Sequence, residues 1–146
     1  MRYFEDFAVG DTFDLGSATI TRESIIAFAS QYDPQPFHVD EERARASVFG
    51  GLIASGWQTT AVFMRLFVDN LLSDAASMGS PGLDEIRWLK PVRPDDRLRA
   101  RFTVVEARPS TRRADRGTVY SLCEMVNQRD EVVMTLKGLH ILGRRP

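Results

Sequence analysis

Two side chains capable of acid–base chemistry stand five positions apart in the segment YDPQPFHVD: the carboxylate of Asp33 and the imidazole of His38. The chain has only two histidines, so one of them beside a carboxylate is a pointed use of the residue. A spacing of five does not bring two groups to one face of a regular helix. Pro34 and Pro36, however, fix φ within the segment and lower the entropy cost of holding the pair together. With no serine or cysteine nucleophile beside it, an Asp/His pair suits proton transfer to and from a water or a carbon acid. The same residues also fit a structural arrangement, in which Asp33 caps the turn and His38 is a satisfied histidine.

A second element bears on the choice. The glycine-broken run FGGLIASG ends at Gly56, immediately before the longest helical pattern of the chain, Trp57 to Leu72. Backbone N–H groups at Gly56 and Trp57 then lie at the positive end of a helix, where a developing oxyanion is stabilised. A glycine there lets a carbonyl approach the backbone, although it also serves as a simple helix-start residue.

The elements that must position these groups read as follows. Gly10-Asp11 marks a turn, and Thr12 to Ile20 alternates as a strand. Thr21 is an N-cap for a short helix carrying Ile25, Ile26, Phe28 and Ala29 on one face, which ends before Pro34. YDPQPFHVD is therefore expected as a rigid, partly extended loop, and Glu41 to Ser47 as one or two further helical turns. In the long helix only Gln58, Arg65 and Asp69 form a polar stripe, so it is expected to be wrapped by other structure. After the polar loop SDAASMGSPG come strands. Leu98, Ala100, Phe102 and Val104 alternate with Arg97, Arg99, Arg101 and Thr103, and Thr118 to Val126 and Val132 to Leu142 flank the turn NQRD. The sum is an α+β layout, one long helix on an antiparallel sheet, in a single domain over residues 1–146.

Composition is that of a globular protein, 43% hydrophobic and 27% charged, and the net charge of -1 gives no sign of a nucleic-acid or membrane-surface partner. The single cysteine, Cys123, excludes an internal disulfide and a multi-cysteine metal site, and its apolar surroundings predict a buried, inert thiol. No apolar run approaches the roughly 20 residues of a membrane span, and the acids in MRYFEDFAVGD do not suit a signal peptide, so a cytoplasmic location is expected.

Taken together, DPQPFH, the glycine at position 56, FEDFAVGD, ITRESIIAFA, GGLIASGW and LKPVRPDDRL resemble the MaoC-like dehydratases, a family that includes the (R)-specific enoyl-CoA hydratases. The resemblance covers nearly the whole chain. It implies a hot-dog fold, with an antiparallel sheet wrapped around a long central helix. It assigns Asp33 and His38 as the water-activating acid/base pair and the Gly56 N–H as the group that polarises a thioester carbonyl. The reaction implied interconverts trans-2-enoyl and (R)-3-hydroxyacyl thioesters. No metal or redox cofactor is implied, and coenzyme A enters as part of the substrate. Family members pair sheets edge to edge, which implies a homodimer with its sites at the junction.

The chain departs from the family pattern in three places: Gln35 replaces the usual asparagine, Ser55 stands where histidine is common, and Val62, Phe63 and Met64 occupy a stretch where some hydratases carry a serine. Candidates for substrate contact are Gln35 and Ser55, then Trp57, Phe63 and Phe49 as pocket walls, with core packing the other reading of Phe63 and Phe49, and Arg87 and Lys90 as partners for phosphates. The basic loop RPSTRRADRG could serve the same purpose or be a solvated hairpin, and His140 reads as structural. Two other functions fit the fold: a thioesterase and a non-catalytic acyl-thioester-binding subunit. The Asp-x-x-Pro-x-His loop favours the hydratase, because hot-dog thioesterases usually draw their carboxylate from the central helix.

Overall fold

The computed structural model describes residues 1–146. Strand β1 (Thr12–Thr19) leads into helix α1 (Arg22–Tyr32), short helices α2 (Pro36–Val39) and α3 (Glu41–Ala46), and the long helix α4 (Gly56–Asn70). Strands β2 (Leu83–Trp88), β3 (Arg97–Pro109), β4 (Arg116–Val126) and β5 (Val132–Gly143) follow. The five strands form one antiparallel sheet in the order β1-β3-β4-β5-β2. α4 lies across its inner face, which is the hot-dog arrangement.

The alternation read in the sequence sets the layers. Leu98, Ala100, Phe102 and Val104 on β3 are buried, as are Val119, Cys123 and Met125 on β4 and Met134, Leu136 and Leu142 on β5. Phe63, Leu66 and Phe67 of α4 press onto this surface, with Phe67 stacked on Phe102 at a centroid distance of 5.2 Å. Burying a side chain of this size contributes about 1.5–3 kcal/mol. Cys123 is buried as expected, and burial pushes its thiol pKa up to about 12, which makes it inert.

Two expectations need correction. The segment after Asp33 is not extended throughout: Pro36 opens the four-residue helix α2, so His38 sits on a helical turn. Proline suits that first position, because the N–H it lacks would have no intrahelical acceptor. Second, α4 is covered on one side only. Trp57, Ala61, Met64 and Val68 form a stripe open to solvent, with Trp57 57% and Met64 47% exposed, while Gln58 of the supposed polar stripe is buried and donates to Ser24 Oγ at 3.1 Å. Within the stretch expected as strands, the segment before Leu89 is β2, paired with β5 at the sheet edge.

Candidate active site

Asp33 is the C-cap of α1, and its backbone N–H donates to the carbonyl of Ala29. That anchors the carboxylate to the end of a helix whose start is fixed by Thr21, which accepts from Ser24 N at 3.1 Å. One helical turn later α2 presents His38. The two meet with His38 Nε2 3.3 Å from Asp33 Oδ2. His38 is buried, and its Nδ1 lies 2.7 Å from the carbonyl oxygen of Ile53. A carbonyl only accepts, so Nδ1 carries a proton, and Nε2, facing Asp33, is left as the nitrogen that gains or loses one.

Two of the positions that depart from the family pattern, Gln35 and Ser55, grip the carboxylate. Gln35 Nε2 donates to Asp33 Oδ1 at 2.7 Å, and Ser55 Oγ donates to Asp33 Oδ2 at 2.8 Å. The Ser55 oxygen also accepts from Trp57 N at 3.2 Å, capping α4, so one hydroxyl ties the carboxylate to the start of the central helix. Burial of Asp33 works to raise its pKa. The bonds from Gln35 and Ser55, followed by the attraction and hydrogen bond of His38, outweigh burial and hold the carboxyl below its ordinary value.

Removing either donor takes away part of what outweighs burial. Gln35→Ala and Ser55→Ala are each expected to raise the Asp33 pKa, so that the carboxylate is lost at a higher pH as the solution is acidified. The Asp33 carboxyl carbon shift followed against pH by NMR reads this directly. A midpoint unmoved in both variants would show that the two bonds do not hold the charge. By linkage, the contribution of Asp33 to stability is present above the ordinary aspartate pKa and fades as pH falls below it.

The walls of the site are stitched by backbone bonds. Ile53 N donates to Phe37 O at 3.1 Å, Ala54 N to Val92 O at 2.9 Å, and Leu89 N to Val133 O at 2.8 Å. The segment Leu89–Val92 is held in turn by the turn that follows it. Buried Asp96 accepts from Arg93 N at 2.9 Å and from Gln128 Nε2 at 2.8 Å. Between these walls opens a cleft of about 510 Å³.

Asp33, Gln35, His38, Phe49, Gly56, Trp57 and Lys90 all line this cleft, and Ser55 lies just behind it, fully buried. Phe49 packs edge-on to Phe37 with centroids 5.1 Å apart, and Trp57 stands exposed at the mouth. Lys90 is paired with Glu131. Arg87 does not line the cleft; it points out from β2, 2.9 Å from Glu85. The basic loop is the β3–β4 connection, with Arg108 paired to Glu106 and Arg116 to Asp115, and none of its residues lines the cleft. His140 lies elsewhere, buried against Phe67 and Phe102, with Nε2 3.0 Å from Ser121 Oγ; burial pushes its pKa down to about 4.

Gly56 is the first residue of α4, and its N–H has no acceptor within the chain. A residue that sequence reading did not single out lies over it: a Cβ at Gly56 would meet two ring atoms of Trp88 at 2.4 Å. Glycine is required at this position for close approach of an indole. Thr59 also lines the cleft, one turn into the helix. No three carboxylate, imidazole or thiol groups converge anywhere in the chain to hold a metal ion. No helix is long and apolar enough to cross a membrane.

Comparison with known proteins speaks to the family and the fold. Residues 6–125 match the family model described as a MaoC like domain. YdeM, an uncharacterized protein of Bacillus subtilis, is 33% identical over 127 residues, 86% of this chain and 88% of its own. The 3-hydroxyacyl-thioester dehydratase Z of Mycobacterium tuberculosis is 35% identical over 113 residues, 72% of this chain and 75% of that protein. The crystal structure of a MaoC-like dehydratase from Rhodospirillum rubrum superposes with a TM-score of 0.90 at 43% identity, covering 100% of this chain and 99% of that one.

Proposed function

Because this chain belongs to the MaoC-like dehydratase family, we propose that it is a hydratase/dehydratase that interconverts trans-2-enoyl and (R)-3-hydroxyacyl thioesters, with coenzyme A as the carrier. The observation that carries the reading is the contact between His38 Nε2 and Asp33 Oδ2 at 3.3 Å, in the same cleft as the free N–H of Gly56. The relative from M. tuberculosis, named for dehydration of a 3-hydroxyacyl thioester, supports the same class.

In the hydration direction a water sits against the pair, which holds one transferable proton on Nε2. The Asp33 carboxylate takes a proton from the water as its oxygen bonds to C3 of the enoyl group. The C2–C3 π electrons shift toward the thioester, and the charge that gathers on its oxygen is met by the Gly56 N–H and the positive end of α4. C2 then takes the proton from Nε2, and the proton on Asp33 passes to Nε2 to restore the pair. Water has been added across the double bond and the protein is unchanged. This sequence calls for no metal or redox cofactor.

The apolar stripe Trp57, Ala61, Met64 and Val68, beside the open edge of β2, supports a homodimer formed through this side of the molecule. No feature of the chain calls for nucleic acid or a membrane as a partner, and a cytoplasmic location fits the chemistry.

The assay supplies a short trans-2-enoyl-CoA and follows conjugated enone absorbance and free thiol in parallel. Enone is expected to disappear without thiol, giving the (R)-3-hydroxyacyl product on chiral analysis, from a protein that sediments at twice the chain mass. Thiol release would make the protein a thioesterase. Neither signal across several chain lengths would make it an acyl-thioester-binding subunit.

A further inference from the structure

A second cavity, of about 280 Å³ and mostly apolar, lies along the same groove as the catalytic cleft. Three elements run past both in the same sense. On α4 the lining passes from Gly56 and Thr59 in the cleft to Thr60 and Phe63 in the cavity; on β5 it passes from Val133 to Leu136. On β2 it passes from Trp88 back to Leu83. The junction is occupied by one side chain. The Trp88 indole lies on Gly56 and donates Nε1–H to Thr60 Oγ1 at 3.3 Å, and Thr60 in turn donates to the carbonyl of Gly56 at 2.9 Å. The Trp88 ring also meets Trp57 in a T-shaped contact, with centroids 5.1 Å apart.

This partition is built from a group that ordinary packing would not place there. Trp88 is 45% exposed, and it comes from an edge strand rather than from the core. It is positioned by the register of β2 on β5, where Trp88 stands opposite Met134. Behind it the cavity is walled by Phe63, Leu83 and Leu136, a surface suited to methylene groups.

We propose that Trp88 is the end wall of the acyl site: it confines the acyl chain to the dyad cleft, selects short-chain thioesters, and closes off the apolar cavity that a longer chain would otherwise enter. The proposal rests on the hydratase reading for its substrate class and deepens it by assigning chain length. Each methylene housed in an apolar site strengthens binding about fourfold. A chain that stops at the indole gains nothing from further methylenes, whereas one that passes it gains with every added group.

The test compares wild-type protein with Trp88→Ala and Trp88→Phe on trans-2-enoyl-CoAs of four, six, eight and ten carbons. In Trp88→Ala the ratio of kcat/KM for the eight-carbon substrate to that for the four-carbon substrate is expected to rise at least tenfold, the effect of about two housed methylenes. Adding Leu83→Trp, which fills the cavity behind, is expected to reverse the gain. A ratio unchanged in folded Trp88→Ala overturns the proposal. If Trp88→Ala does not fold, Trp88→Phe, which loses the bond to Thr60 and part of the ring, is expected to shift the ratio in the same direction, and no shift overturns it. Calorimetric binding of saturated acyl-CoAs separates this inference from the reaction assigned above. With or without turnover, wild-type affinity is expected to level off at a length where the affinity of Trp88→Ala is still rising, and parallel curves overturn the partition.

Discussion

Asp33→Asn is expected to lower kcat at least about a hundredfold with little loss of stability, and His38→Ala to do the same with a measurable one. The asparagine keeps the shape of the carboxylate and can still accept from Gln35 at the position of Oδ1. Its amide nitrogen at the position of Oδ2 faces Ser55 Oγ and His38 Nε2, both of which can accept, so the local network survives. What is lost is the carboxylate that takes the proton of the water in the proposed reaction. His38→Ala also strips the carbonyl of Ile53 of its partner in a buried setting. A buried carbonyl left unpaired costs about 1–3 kcal/mol, which thermal unfolding should register as a lower Tm.

The double variant sharpens the point. If the pair acts as one proton-handling unit, Asp33→Asn/His38→Ala loses no more than the worse single variant, because the second change removes a group already idle. Steady-state kinetics on one enoyl-CoA decides it. Near-normal turnover in both single variants would remove the pair from the chemistry altogether.

The pair was legible in sequence because its geometry is enforced locally. Two prolines and two helix ends act within the nine residues of YDPQPFHVD, and no distant contact is needed to bring Asp33 toward His38. Helix α2 escaped notice for the complementary reason. Four residues are too few for an apolar period to show, and Pro36 reads equally well as a loop stiffener or a helix start. Gln35 and Ser55 stood out only as departures from a pattern. Their bonds to the two oxygens of Asp33 bridge two and twenty-two positions, and the longer one exists only once α4 has docked beside the end of α1.

Periodicity also misplaced the environment of α4. It tells which sides of a helix are apolar, not which sides a single chain covers, and the stripe from Trp57 to Val68 is apolar yet open. Gln58 went the other way: it falls on the polar flank, but α1 closes over that end of the helix. Arg87 and Lys90 are both basic and near in sequence, and the sequence alone does not separate them. Only Lys90 reaches the cleft, since Arg87 lies on β2 and points away. Trp88 was the hardest to foresee, because β2 is short, polar and at a sheet edge. Its place over Gly56 follows from strand register rather than from any local pattern.

Gly56→Pro, set against Gly56→Ala, is expected to isolate the contribution of one N–H. Both substitutions introduce a Cβ where the Trp88 ring now lies at 2.4 Å, so both displace the indole and share that cost. Only proline removes the N–H. Its backbone demands are already met: the first helical position tolerates proline, and Ser55 before it has φ -60 and ψ 138, the extended conformation a pre-proline residue prefers. No hydrogen bond within the chain is broken, because the Gly56 N–H has no acceptor there. Stability should therefore differ little between the two variants, with unfolding midpoints close together. Turnover should not. Loss of one oxyanion donor costs about 10²–10³ in kcat, so Gly56→Pro is expected to fall about a hundredfold below Gly56→Ala while the KM values stay similar. Equal rates in the two variants would mean that the thioester oxygen is held by some other group, and that the glycine is kept only to let Trp88 lie against the helix.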